Sequence, residues 1–319
     1  MAEEEEDIVS ELEYTTRWKV LRKLAHGGMG NVYLAEQLGI EGFKKIVAVK
    51  TIRRELITKE RNLNMFISEA KLVADLIHEN IMQVYNLSST PEGDVFIIME
   101  YVKGITFSRF LKRHRELEIR LDPEMAAFIC SRVCRALSYA HSKRDHDDVF
   151  LEIVHRDVTP ANIMIDTLGV VKLMDFGIAK AISMGTPDEK KVLMGKYPYM
   201  SPEQVKLEGT DGRSDIFSLG IVFYEALTGL KLFPAKSREE LLELLEVSDI
   251  VSPSDIHDDI PESLSEIVMS MLQMDVSKRM KSARHAVLAL EKYMYNKGYG
   301  PTNEKLAVYM SNLFKRQSV

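Results

Sequence analysis

Over the first hundred residues apolar and polar positions tend to alternate, and later in the chain they recur at helical spacing. Lys19 to Leu24 and Asn31 to Glu36 read as two strands joined across Gly27-Gly28-Met29-Gly30. Lys45 to Ile52 is a third strand, favoured by β-branched Ile46, Val47 and Val49. Arg61 to Ile77 changes period: Phe66, Ala70, Val73 and Ile77 fall on one helical face. Ile81 to Leu87 and Val95 to Tyr101 return to strand. The pattern predicts a small five-stranded sheet carrying one helix.

The remainder is mainly helical, so the fold class is α+β. Asp122-Pro123-Glu124 caps a helix running to His141, with proline in its first turn. Asp215 to Gly229 is almost wholly apolar, as expected of a helix at the centre of a lobe. Short strands fall around Ile163-Met164-Ile165 and Val170 to Leu173. Glu304 to Phe314 has helical spacing through Leu306, Val308-Tyr309 and Leu313, a face for the large lobe or for a regulatory partner. The expected division is an acidic arm (1–17), a small lobe (18–102), a large lobe (103–296) and a C-terminal helical extension (297–319), with the lobe boundary near Val102 to Gly104.

Composition narrows the function classes. The 319 residues carry a net charge of -6, with no basic stripe of the kind a nucleic-acid surface needs. No apolar run is long enough to span a bilayer. Met1-Ala2-Glu3-Glu4-Glu5-Glu6-Asp7 reads as a solvated arm and lacks the features of a signal peptide. Cys130 and Cys134, one helical turn apart, read as reduced core thiols of a cytosolic protein. Ser142 to Glu152, with Asp145-His146-Asp147-Asp148, reads as a solvated loop, a metal cluster being the alternative.

The glycine turn lies between two strands, not before a helix. That argues against a dinucleotide fold, where phosphate sits at a helix N-terminus. Glycines there let backbone N–H groups approach phosphates, although many such hairpins are only turns. Val47-Ala48-Val49-Lys50 then puts a lysine in a buried type of strand. Glu69, in the helix that follows, can supply the opposite charge, and burying such a pair is costly unless it positions something.

Further motifs follow in order: His155-Arg156-Asp157-Val158-Thr159-Pro160-Ala161-Asn162, Asp175-Phe176-Gly177, and Gly195-Lys196-Tyr197-Pro198-Tyr199-Met200-Ser201-Pro202-Glu203. From about Trp18 to about Tyr293 the chain resembles the protein kinase family, and within it the bacterial Hanks-type serine/threonine kinases. The resemblance implies the bilobal kinase fold, protein substrates, and ATP with Mg²⁺ (Mn²⁺ as an alternative). By it, Lys50 holds the α- and β-phosphates and Glu69 holds Lys50. Gly27, Gly28 and Gly30 belong to the nucleotide-covering loop, with Ala25 where a first glycine usually stands. Leu24, Val32 and Ala48 form the adenine roof and Met164 its floor. Met99 is the gatekeeper, and the backbone of Glu100 and Val102 meets the adenine edge. Asp157 orients the substrate hydroxyl, while Asn162 and Asp175 are oxygen ligands for the metal. His155 is expected to be a packed histidine. Glu203 pairs with Arg279, and Asp215 anchors the catalytic loop.

The chain departs from that pattern in two linked places. Thr159 stands where a lysine usually neutralises the γ-phosphate, and Lys196 stands where a threonine usually meets that lysine. The exchange predicts that Lys196 reaches back to supply the cation and Thr159 supplies the hydroxyl. The activation segment also carries Val192, which cannot be phosphorylated, three residues before Gly195. Ordering without phosphate, or through Thr186, is expected; Ser183 is the other hydroxyl between Asp175 and Gly195. Two functional classes stay open: an active serine/threonine kinase, and a pseudokinase serving as a nucleotide-binding scaffold.

Overall fold

The computed structural model describes residues 17–27, 30–52, 67, 70–71, 73–90, 95–176, 196–247 and 249–315. Strands β1 (Arg17–Gly27), β2 (Gly30–Leu38), β3 (Lys44–Thr51), β4 (Val84–Ser89) and β5 (Val95–Glu100) form an antiparallel sheet in the order β1-β2-β3-β5-β4. The two-residue period divides β3 between two environments. Val47 and Val49 close a small cluster with Ala35 and Ile98 on one face, under Trp18 and Phe96. Ala48 turns the other way and joins the main core with Ile97 and Met99. Lys50, in step with Ala48, is carried on that second face toward the large lobe.

Two sequence expectations shift between β3 and β4. The helix expected over 61–77 is described only at 67, 70–71 and 73–74, where the backbone is helical. Ala70 and Val73 are buried as expected, but Ile77 lies past the helix and is 73% exposed. Leu76, fully buried, takes the core position instead. The strand expected from Ile81 begins at Val84. Its first residues pair with the large lobe: Met82 N–H donates to the Leu173 carbonyl at 2.9 Å, and Leu173 N–H to the Asn80 carbonyl at 2.8 Å. A contact across the lobes therefore overrides the local alternation.

After β6 (Gly104–Thr106) come α1 (Phe107–Glu116) and α2 (Pro123–His141). Asp122 caps α2 by accepting from the N–H groups of Glu124 and Met125 at 2.9 and 3.1 Å. Strands β7 (Ile163–Asp166) and β8 (Val171–Leu173) join β6 in a three-stranded sheet. Helix α3 (Pro202–Lys206) precedes α4 (Gly212–Thr228), whose residues from Ser214 onward are all buried. Gly229, with φ +74°, ends α4 in the left-handed conformation that glycine adopts without strain. Helices α5 (Arg238–Val247), α6 (Glu262–Met271) and α7 (Ala283–Tyr295) complete the layer around it.

The C-terminal helix α8 (Asn303–Lys315) docks on α1. Its buried stripe is Leu306, Met310 and Leu313, whereas Val308 is 56% exposed, a correction to the expected face. Tyr309 bonds His114 Nε2 through its hydroxyl at 2.8 Å, and Arg113 Nε donates to the Leu313 carbonyl at 3.4 Å. At Gly169, in the β7–β8 turn, a Cβ would lie 1.8 Å from the Asn303 carbonyl oxygen, so glycine is required there for the approach of α8. Among the described residues no helix is long and apolar enough to cross a membrane.

Candidate active site

The β7–β8 hairpin and α4 together bring the catalytic-loop motif into register. Asp215, fully buried near the start of α4, accepts from Arg156 N–H through Oδ1 at 2.7 Å. Its Oδ2 accepts from His155 N–H and His141 Nε2, both at 2.8 Å. Burial opposes the Asp215 charge, but His141 together with the backbone N–H of His155 outweighs it, and the carboxyl sits below its usual range. The loop is thus anchored to the central helix. His155 is fully buried and acts as a strut. Its Nε2 donates to the Met174 carbonyl at 2.8 Å while Nδ1 accepts from Asp157 N–H at 3.2 Å. Desolvation keeps this imidazole neutral, consistent with that bonding pattern.

Two non-glycine residues at the site have positive φ: Arg156 at +61° and Asp175 at +53°. Such conformations persist only where neighbours over-determine them. Asp175 Oδ1 accepts from Lys50 Nζ at 2.7 Å. Enclosure works against the Asp175 charge, but Lys50, aided by Lys196, holds the carboxyl below its usual range. Glu69, expected to partner Lys50, lies outside the described residues, as do Gly28, Gly177 and the segment with Ser183, Thr186, Val192 and Gly195.

Asp157 is the convergence point. Its Oδ2 accepts from Lys196 Nζ at 2.5 Å and from Asn162 Nδ2 at 2.7 Å. Asn162 Nδ2 also donates to the Asp157 carbonyl at 2.9 Å, and Met174 N–H donates to the Asn162 carbonyl at 2.8 Å. This seats Asn162 beside the strand end that carries Asp175. With the amide nitrogen committed to Asp157 and one Asp175 oxygen to Lys50, Asn162 Oδ1 and the other Asp175 oxygen are the remaining hard-oxygen donors. That set fits Mg²⁺, which binds few protein oxygens and completes its shell with water and substrate phosphate. Thr159 is 6% exposed, and its hydroxyl bonds neither Lys196 nor Asp157. The cation half of the expected exchange therefore has a counterpart in the geometry, and the hydroxyl half does not.

Around the cleft mouth, Ala48 stands opposite Met99 in the β3–β5 pairing, and both are buried, as is Val102. Leu24, Val32 and Met164 are half-buried, and Ala25 is exposed on β1 opposite Val32. A Cβ at Gly30 would lie 1.8 Å from the Thr51 carbonyl oxygen, so glycine is required there for β2 to approach the end of β3. Glu100 N–H donates to the Gln83 carbonyl at 2.8 Å, so its carbonyl and not its N–H is the group suited to an adenine edge. The Glu100 carboxylate also pairs with Lys172 Nζ at 2.9 Å.

Several connections were not anticipated from sequence. Glu225, 2% exposed inside apolar α4, accepts from the Tyr199 hydroxyl at 2.6 Å and from Arg115 at 3.2 Å. A carboxylate embedded in an apolar helix was the available signal, since such a group needs a partner. Gln204 donates to the Arg156 carbonyl at 3.0 Å. In the 142–152 loop, Asp145 Oδ1 accepts from the N–H groups of Asp147 and Val149, and Asp148 pairs with Arg144. Asp145 and Asp148 thus bond within the loop itself, and no metal-binding cluster occurs among the described residues.

Arg279 and Glu203 form the buried brace expected from sequence, with Nη1–Oε1 at 2.7 Å and Nη2–Oε2 at 3.1 Å. Burial raises the Glu203 carboxyl, but hydrogen bonds from Arg279 and Ser214 outweigh it and leave it below its usual range. A depressed folded-state value contributes stability that is complete above the unfolded value of about 4.5 and is lost as pH falls through the folded one. Urea midpoints should fall more steeply below about pH 4.5 in the wild type than in Glu203→Gln, which carries no titrating group there.

The sequence matches the protein kinase domain family over residues 18–290, and the chain belongs to that family. It is 34% identical to the tyrosine-protein kinase MasK of Myxococcus xanthus, over 86% of this chain and 42% of the relative. It is 32% identical to the serine/threonine-protein kinase PrkC of Bacillus subtilis, over 84% of this chain and 39% of PrkC. With PknB of Mycobacterium tuberculosis, also named a serine/threonine-protein kinase, identity is 34% over 84% of this chain and 41% of PknB. The chain thus spans about two fifths of the length of these relatives. The crystal structure of the Mycobacterium tuberculosis PknI kinase domain shares the fold, with a TM-score of 0.64 at 24% identity, covering 86% of this chain and 95% of that one.

Proposed function

We propose that this chain transfers the γ-phosphoryl group of ATP to protein hydroxyls, those of serine and threonine first, with Lys196 serving as the cation that the catalytic loop lacks. The observation that carries the reading is the Lys196 ammonium on Asp157 Oδ2 at 2.5 Å, across 39 residues of sequence. A lysine there acts as a point charge beside the aspartate that orients the acceptor hydroxyl. Lys50 would hold the α- and β-phosphates, and Asn162 and Asp175 would hold Mg²⁺. The metal, when bound, neutralises charge on the phosphates. The residues around it position the nucleotide and acceptor and exclude water. Leu24, Val32, Ala48, Met99, Val102 and Met164 would enclose the adenine, with the covering loop of Ala25, Gly27, Gly28 and Gly30 above the phosphates. Glu69 keeps its expected role as the partner of Lys50. The natural setting is the cytosol, where ATP is held. A regulatory partner at residues 297–319 would meet the outer face of α8, because the inner face is covered by α1.

Thr159, whose hydroxyl touches neither Lys196 nor Asp157, favours the second reading, a nucleotide-binding scaffold without transfer activity. Labelled ATP with Mg²⁺ and a generic protein substrate decides between them, followed by phosphoamino-acid analysis. The expected outcome is phosphoserine and phosphothreonine well above an Asp157→Asn control, abolished by EDTA. Transfer no greater than that control would leave the scaffold. Phosphotyrosine alone would replace the acceptor class with the one named for MasK.

A further inference from the structure

We propose that Gln204 is a positioning residue for Asp157, acting through the backbone carbonyl of Arg156. Only the kinetic arm of its test rests on the phosphotransfer reading. Gln204 lies in α3, 8% exposed. Its Oε1 accepts from Ser201 N–H at 3.0 Å, and its Nε2 donates to the Arg156 carbonyl at 3.0 Å. The amide orientation is fixed by these two partners, because a flipped amide would set donor against donor and oxygen against oxygen.

What Gln204 grips is the strained residue of the catalytic loop. Arg156 has φ +61°, and the peptide groups on both sides of its Cα are held from different helices. Its N–H donates to Asp215 Oδ1 of α4 at 2.7 Å, and its carbonyl accepts from Gln204 of α3 at 3.0 Å. That carbonyl belongs to the peptide plane leading into Asp157. If the plane turned, the Asp157 N–H would leave His155 Nδ1 and the carboxylate would swing out of the cleft. A displacement of about 1 Å in a reacting group can cost about 10²-fold in rate.

Helix capping does not explain this arrangement. The Ser201–Gln204 capping box uses the Gln204 oxygen and the Ser201 hydroxyl, leaving the Nε2 donor for the catalytic loop. The segment that carries Lys196 and α3 is therefore tied to the catalytic loop at two points. Lys196 meets Asp157 in the cleft, and Gln204 meets Arg156 behind it.

Gln204→Glu tests the idea, because it keeps the shape and the Ser201 bond while setting an oxygen against the Arg156 carbonyl. The expected result is a fall in kcat of about 10–100-fold with the KM for ATP within about twofold of wild type. Hydrogen exchange in the peptide spanning residues 155–158 should quicken by about tenfold or more. Gln204→Met, which lacks both hydrogen bonds, should give the same pair of changes and serves if the glutamate variant does not fold. Ser201→Ala weakens only the cap, so it should lower Tm while leaving kcat within about twofold. Wild-type kcat and exchange in the folded Gln204 variant, or an equal loss of kcat in Ser201→Ala, would overturn the proposal. If the wild-type protein itself transfers no phosphate, the phosphotransfer reading fails alone. Exchange at residues 155–158 then decides for or against Gln204.

Discussion

Replacing Lys196 by alanine is expected to lower kcat for phosphoryl transfer by about 10²–10³-fold, the loss expected when one preorganised donor is removed from a developing charge. The ammonium sits on Asp157 Oδ2 rather than in open solvent, and its side chain is 29% exposed. On the proposed reading it acts where charge accumulates during transfer, so the KM for ATP should change little while kcat falls. Adding Thr159→Lys to Lys196→Ala returns the cation to the loop and should recover activity to within about tenfold of wild type. Steady-state kinetics with saturating Mg²⁺ and a peptide acceptor measure both. If Lys196→Ala transfers phosphate at the wild-type rate, the charge-replacement idea is wrong.

Asp157→Asn should be at least as damaging, about 10²–10⁴-fold in kcat, the usual worth of a positioned acid–base group. The amide keeps the shape of the carboxylate but cannot receive the acceptor's proton. It also removes the charge that holds Lys196 on Oδ2. The two residues should therefore behave as a unit. In the Asp157→Asn background, Lys196→Ala is expected to cost less than about tenfold more, far below the product of the separate losses. Single-turnover measurements of all four proteins close that cycle, and independent effects would show that the contact is incidental.

What the chain itself offered was a lysine in a β-branched strand, while Asp157 and Asn162 were read from the resemblance of their motif to a kinase catalytic loop. The structure brings Asn162 and Lys196 together on Asp157. Lys196 was singled out because it stands where similar kinases usually carry threonine, and the structure brings its ammonium to Asp157. Gln204 was not, because its role exists only once Arg156 adopts a left-handed conformation, and that follows from two helices distant in sequence. Ile77, Ile81 and Val308 were misplaced by a similar cause. Each matched a local period, while Leu76, Leu173 and Met310 made the contacts that fixed the burial. The sheet survived this ambiguity because its two-residue alternation already separated Val47 and Val49 from Ala48.

Both cysteines of the chain, Cys130 and Cys134, are sealed inside α2, at most 1% exposed, and burial pushes their thiols far above the usual range. Neither offers a thiolate to an alkylating reagent while the protein is folded. The native chain is thus expected to resist labelling by maleimide dyes. One cysteine introduced at Leu207, which is 61% exposed just past α3, would carry a single fluorophore beside the segment that bears Lys196 and Gln204. Motion of that segment during nucleotide binding could then be followed without removing any native residue elsewhere.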